Sequence, residues 1–83
     1  MIQVDTRRTT TASIMRSADF KVGVDDVRAG RSPRFDEFDS DDYERGRQWA
    51  TIAPTTMPLR IKGRLNPEAV RLLNDAFDRG DVT

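Results

Sequence analysis

The sequence predicts a mainly α-helical small domain. It has three helices, a helix–loop–helix core and at most a short two-stranded β-ribbon. Three observations carry this reading. Apolar residues recur at spacings of three and four in three stretches, each opened by a capping residue. A glycine lies on the apolar stripe of each of the first two. Strand-type alternation occurs at Met57, Leu59 and Ile61, set against Pro58, Arg60 and Lys62. Eighty-three residues make a single domain spanning 1–83. With 36% hydrophobic and 34% charged residues the core is thin, which leaves room for completion by a partner or by self-association into a homo-oligomer.

Ile2 and Val4 read as a short strand, and residues 5–12, polar and threonine-rich, as a connector; together 1–12 fit a mobile N-terminal segment. The first helix opens at Ser17, with Asp19 in its first turn, and carries Phe20, Gly23, Val24 and Val27 on one stripe. An earlier start near Ser13, bringing in Ile14, is the alternative. Gly30 is placed to end it. Residues 31–39 lack a helical period, and Phe35 and Phe38 are the side chains expected to pin this loop to the core. Ser40 caps the second helix, Asp41 and Asp42 occupy its first turn, and Tyr43, Gly46, Ala50 and Ala53 share a face, with Trp49 and Ile52 beside it. Pro54 ends that helix. Pro58 confines the following strand to an edge or to a start after it, with Ile2 and Val4 as its expected partner. Asn66, Pro67 and Glu68 open a helix over 67–79 that Gly80 terminates. Val70, Leu73 and Phe77 form its stripe, flanked by Ala69, Leu72 and Ala76.

A glycine inside a helix costs roughly 0.5–1 kcal/mol relative to alanine. Gly23 and Gly46 both fall on apolar stripes, so they are expected to let the two helices cross closely. The alternative is that the helices are frayed at those points.

Charge is balanced overall, with fourteen basic and fourteen acidic residues, but it is segregated. Residues 34–44 carry one positive and six negative side chains; residues 45–64 carry five positive and none negative. The two blocks either neutralise each other within the fold or present surfaces of opposite sign. Twelve of the fourteen basic residues are arginine, whose planar fork grips carboxylates and phosphates; a GC-rich coding bias produces the same excess.

Catalytic chemistry has little to draw on. Histidine and cysteine are absent, which removes the usual neutral-pH base, the thiol nucleophile and the commonest soft metal ligands. No Gly-x-Ser-x-Gly elbow or glycine-rich phosphate loop occurs. Asp39 and Asp41 have the alternation of a calcium loop, but Tyr43 holds the third ligand position, and the sixth-position glycine and twelfth-position glutamate are missing. A magnesium-assisted enzyme using this cluster is the remaining catalytic reading. The expectation is a protein that is not an enzyme and uses no metal or cofactor.

Binding is the better-supported alternative. Asp36, Glu37, Phe38, Asp39, Asp41 and Asp42 place five carboxylates around a phenylalanine and suit a basic groove on a partner. Arg45 and Arg47 follow at once. With Arg60, Lys62 and Arg64 they are candidates for direct contact with nucleic acid, Trp49 or Tyr43 supplying a stacking surface. The ten-residue loop between the helices is too long for a DNA-reading helix-turn-helix. No apolar run approaches the ~18 residues of a membrane span, and the N-terminus lacks a signal-peptide core, so a cytoplasmic location without membrane partners is expected.

The run Phe20-Lys21-Val22-Gly23-Val24-Asp25-Asp26-Val27-Arg28-Ala29-Gly30-Arg31-Ser32, followed by Tyr43-Glu44-Arg45-Gly46, resembles ribosome modulation factor, a family of small bacterial proteins. The resemblance implies a glycine-bearing helix, a loop, and a second helix with an aromatic residue and a glycine. It also implies a ribosome-associated role in which Arg28, Arg31, Arg45 and Arg47 meet RNA. The functional expectation is therefore a non-catalytic bacterial or phage interaction or regulatory protein acting on nucleic-acid machinery, its partner a protein or ribonucleoprotein. The alternative is an inhibitor, of which anti-CRISPR proteins are one kind, that blocks a nucleic-acid-binding complex through the acidic loop.

Overall fold

The computed structural model describes residues 10–82. Among them the chain forms α1 (Thr11–Arg16), α2 (Ala18–Arg28), α3 (Asp41–Ile52), β1 (Arg60–Ile61), β2 (Arg64–Leu65) and α4 (Pro67–Arg79). The mainly helical class with a two-stranded ribbon is the one expected. Three of the helices sit where capping and periodicity place them, and α1 is an addition. Thr10 caps α1 through its hydroxyl, which accepts from the Ser13 amide, and Ser17 separates it from α2 with an extended backbone. The alternative start near Ser13 is thus a separate short helix that buries Ile14 and Met15. Residues 1–9, with the strand read at Ile2 and Val4, lie outside the described residues; Thr11 and Ala12 form the first turn of α1.

The expected caps are present. The Ser17 hydroxyl accepts from the Asp19 amide at 3.2 Å, Ser40 from the Tyr43 amide at 3.2 Å, and the Asn66 side-chain oxygen from the Glu68 amide at 3.1 Å. At the C-terminus of α2, the amides of Gly30 and Arg31 turn back to the carbonyls of Val27 and Asp26, satisfying groups the helix leaves open. Gly80 and Asp81 close α4 in the same way, on Phe77 and Ala76.

The core joins all four helices. Met15, Phe20, Trp49, Ala69, Leu73 and Ala76 are fully buried, with Val24, Leu59 and Val82 nearly so. On α4 the most buried line is Ala69–Leu73–Ala76, while Val70, Leu72 and Phe77 pack at its margin. The Trp49 indole N–H donates to the Ala69 carbonyl at 3.1 Å, so the largest side chain in the core also fixes α3 against α4. Arg28 lies over the Trp49 ring at 5.3 Å and donates to the Met57 carbonyl at 2.6 Å, holding the segment after α3 in place.

The closest contact is between α2 and α3. A Cβ on Gly23 would meet the Arg47 backbone nitrogen at 2.9 Å and come closer still to the Tyr43 carbonyl oxygen. A Cβ on Gly46 would meet the Phe20 carbonyl carbon at 2.9 Å, with the oxygen nearer. The glycines are therefore where the two backbones touch, as their positions on the apolar stripes predict.

The ribbon is a local hairpin, and the pairing expected with Ile2 and Val4 falls outside the described residues. β1 pairs antiparallel with β2, Arg60 opposite Leu65 and Ile61 opposite Arg64, around a two-residue turn at Lys62 and Gly63. Both turn residues have positive φ, 52° and 80°, as tight hairpin turns require. This register puts Arg60 with half-buried Leu65 on one face and Ile61 with Arg64 on the other. Ile61 is consequently 48% exposed rather than aligned with buried Leu59.

Candidate protein-interaction surface around the acidic loop

The loop joining α2 to α3 is built around one buried carboxylate, Asp26. Its side chain is 1% exposed and accepts four hydrogen bonds. Arg34 forks onto it, Nε to Oδ2 at 3.0 Å and Nη2 to Oδ1 at 2.9 Å. Arg31 Nη1 reaches Oδ1 at 3.1 Å, and the Tyr43 hydroxyl donates to Oδ2 at 2.8 Å. The Arg34 guanidinium outweighs the opposing effect of burial and, with Tyr43 and Arg31, holds the Asp26 carboxyl well below the usual carboxylate range. The Tyr43 oxygen also accepts from the Arg34 backbone amide at 3.0 Å, so one phenol ties helix, carboxylate and loop together.

From this anchor the loop folds over Tyr43. The Arg34 carbonyl accepts from the amides of Glu37 and Phe38, making a tight turn. Phe38 stacks on Tyr43 with centroids 5.2 Å apart, Phe35 meets the same ring edge-on at 5.7 Å, and Arg34 lies over Phe38 at 5.0 Å. Both phenylalanines therefore pin the loop as expected, although Phe35 remains 48% exposed. At the far end the Ser40 hydroxyl donates to Asp19 at 2.7 Å and joins the start of α3 to the start of α2.

The candidate residues divide by sign. Asp36, Glu37, Asp39 and Asp41 are exposed and, like Glu44, make no ion pair with the described residues; Phe38 is half-buried beneath them. Asp42 pairs with Arg45 at 3.4 Å, and both are partly buried. Arg47, also partly buried, donates to the Arg31 carbonyl at 3.1 Å. Arg45 and Arg47 are thus built into the α2–loop–α3 unit and are not displayed beside Arg60, Lys62 and Arg64, which lie exposed on the hairpin. Among the described residues one ion pair, Asp42 with Arg45, joins the two blocks, and Asp36, Glu37, Asp39 and Asp41 are exposed.

Of the residues that hold the loop, periodicity distinguishes Tyr43 but not Asp26, Arg31 or Arg34. The available signal was Asp26 three residues beyond Gly23, on the helix side that meets α3, with arginines at 31 and 34 close enough to fold back. Replacing Tyr43 with phenylalanine tests the arrangement. It removes one hydroxyl and leaves the Arg34 amide and an Asp26 oxygen short of a partner, an expected cost of about 1–3 kcal/mol. Thermal unfolding reads the cost, and faster amide exchange at Arg34 locates it; an unchanged melting temperature with a protected Arg34 amide contradicts the arrangement.

Elsewhere, Met57, Glu68, Arg71, Leu72 and Asp75 line an open depression of about 200 Å³, with Glu68 and Arg71 paired at 3.2 Å. It contains none of the candidate residues. Among the described residues no three acidic side chains are grouped to hold a metal ion, and no helix is long and apolar enough to cross a membrane. The chain matches no protein-family model, curated protein or solved structure.

Proposed function

We propose that the chain is a non-catalytic regulatory protein that works by binding. Its acidic loop engages the basic, nucleic-acid-binding surface of a partner protein or ribonucleoprotein, as an inhibitor of that machinery would. The observation that carries this reading is the different use made of the two charge signs around the loop between α2 and α3. The carboxylates of Asp36, Glu37, Asp39 and Asp41 face solvent without ion-pair partners among the described residues, whereas Arg28, Arg31, Arg34 and Arg47 are bonded within the fold. Clustered exposed carboxylates on a held loop attract a basic groove over long range, and a loop already in one shape loses less entropy on docking. Half-exposed Phe35 adds an apolar contact among the charges.

A ribosome-associated role through Arg28, Arg31, Arg45 and Arg47 has less support, because Arg28, Arg31 and Arg47 would have to leave partners they already hold. Affinity capture from the native host separates the readings. Asp36→Lys/Glu37→Lys/Asp39→Lys is expected to lose a nucleic-acid-binding protein that the unmodified chain retains, with binding at least about tenfold weaker. Lys62→Glu/Arg64→Glu is expected to keep it. Retention by the loop variant together with loss by the hairpin variant would reject the acidic loop as the binding surface.

A further inference from the structure

The β1–β2 hairpin carries the second charged surface. Arg60, Lys62 and Arg64 are exposed and make no ion pair with the described residues, and Arg64 shares a face of the ribbon with Ile61, an apolar side chain left 48% exposed. No carboxylate occurs anywhere in residues 45–64 to offset them. The loop between α2 and α3 has the opposite make-up. There Asp36, Glu37, Asp39, Asp41 and Glu44 are exposed around Phe35, itself 48% exposed. No ion pair joins hairpin and loop within the described residues.

We infer that the chain associates with itself head to tail, the basic hairpin of one copy docking on the acidic loop of another. Each patch offers what the other lacks: cations on a hairpin that also exposes an isoleucine, and carboxylates on a loop that also exposes a phenylalanine. The chain as a whole is neutral, so no net repulsion opposes the approach of a second copy. A nucleic-acid strand is the competing occupant of the hairpin. Three cations fall short of the roughly six to ten phosphate contacts that support strong backbone binding, and the same small body carries the acidic loop, which repels phosphate. A second copy brings both the carboxylates and the apolar contact. The contact joins unlike surfaces, so it closes as a two-fold pair or a ring, or extends as a chain; each mode has the same dependence on charge. The inference uses the loop of the proposed function as an accessible surface but does not depend on which partner that loop meets. Self-association and partner binding then exclude one another.

Sedimentation velocity of the purified chain over a concentration series tests this without any partner. At about 20 mM salt the sedimentation coefficient is expected to rise with concentration. At about 500 mM salt the association is expected to weaken at least tenfold, because exposed charge pairs are screened. Lys62→Glu/Arg64→Glu and Asp36→Lys/Glu37→Lys are each expected to remain monomeric at low salt. A mixture of the two variants is expected to associate again, since the unaltered hairpin of one faces the unaltered loop of the other and the two reversed surfaces also match in sign. A monomer at every salt concentration, association that survives either reversal, or a mixture that stays apart overturns the inference. So does a hairpin that binds a single-stranded oligonucleotide in a chain that does not self-associate. Failure here leaves the affinity-capture result untouched, so the two readings fall separately.

Discussion

Gly46→Ala is expected to destabilise the fold by about 3 kcal/mol, lowering the melting temperature by roughly 12–24 °C. The sign is what makes this informative. In an exposed helix interior the same change would stabilise by up to about 1 kcal/mol through helix propensity. Here the added methyl would collide with the backbone of Phe20, which cannot rotate away as a side chain can. Relief requires the helices to separate, and that loosens Phe20, Tyr43 and Trp49 together. Gly23→Ala is expected to behave alike, because its methyl meets backbone atoms of Tyr43 and Arg47. Gly30→Ala is the comparison: nothing lies near its Cβ position, and its φ of 75° leaves only a strain of about 1–2 kcal/mol. Thermal melts of the three variants should therefore rank Gly46 and Gly23 well below Gly30. A Gly46→Ala protein as stable as the parent would mean the helices do not meet there.

The second large effect is expected at Asp26. Asp26→Asn removes the negative charge that Arg31 and Arg34 share and replaces one acceptor oxygen with an NH2 donor facing other donors. Breaking a buried pair from one side is severe, and a fall in melting temperature on the order of 10 °C or more is expected. Arg34 and Arg31 remain partly exposed and can turn to water, so the damage should concentrate in the loop. The amides of Glu37 and Phe38 should lose exchange protection before those of α4. The pH dependence follows from the depressed pKa. The unfolded chain takes up the Asp26 proton near the ordinary carboxylate value and the folded chain only well below it, so protonation favours unfolding. The stabilisation is complete above that ordinary value and declines as pH falls below about 4, still falling at pH 2. Chemical denaturation across this range should show the gap between parent and Asp26→Asn narrowing as pH drops. A gap of the same size at pH 7 and pH 2 would show that the charge of Asp26 contributes nothing.

These two sites mark different degrees of legibility in the sequence. Gly23 and Gly46 stood out because each interrupts an apolar stripe, and a stripe is a local pattern. The same holds for the ends of the helices. Ser17, Ser40 and Asn66 supply side-chain acceptors to amides two or three residues ahead, and Pro67 and Gly80 bound α4 through their own backbone preferences. Asp26 was less legible because its partners lie five, eight and seventeen residues away, and no repeating spacing connects them. The exposure of Ile61 is hard to read from the sequence for a related reason. Met57, Leu59 and Ile61 alternate, but the turn at Lys62 and Gly63 gives Ile61 a different neighbour and turns it to solvent.

The charged residues of the candidate surface show the same division. The acidic block and the arginines after it were visible as a change of sign along the chain. Which of them face solvent was not, since a carboxylate and a guanidinium are equally able to reach water or each other. The fold decides it by bringing Asp26 and Tyr43 under the loop, where they capture Arg34 and Arg31, and by giving Arg47 a carbonyl on Arg31. By itself the sequence determined the helical class, the boundaries of α2, α3 and α4 and the close crossing at the two glycines, because these follow from local backbone preferences and the spacing of apolar residues. Only the tertiary structure decided that Asp26 is buried, that the neighbouring arginines turn inward and that the acidic loop and the basic hairpin form no ion pair with each other among the described residues, because those outcomes depend on which distant groups meet.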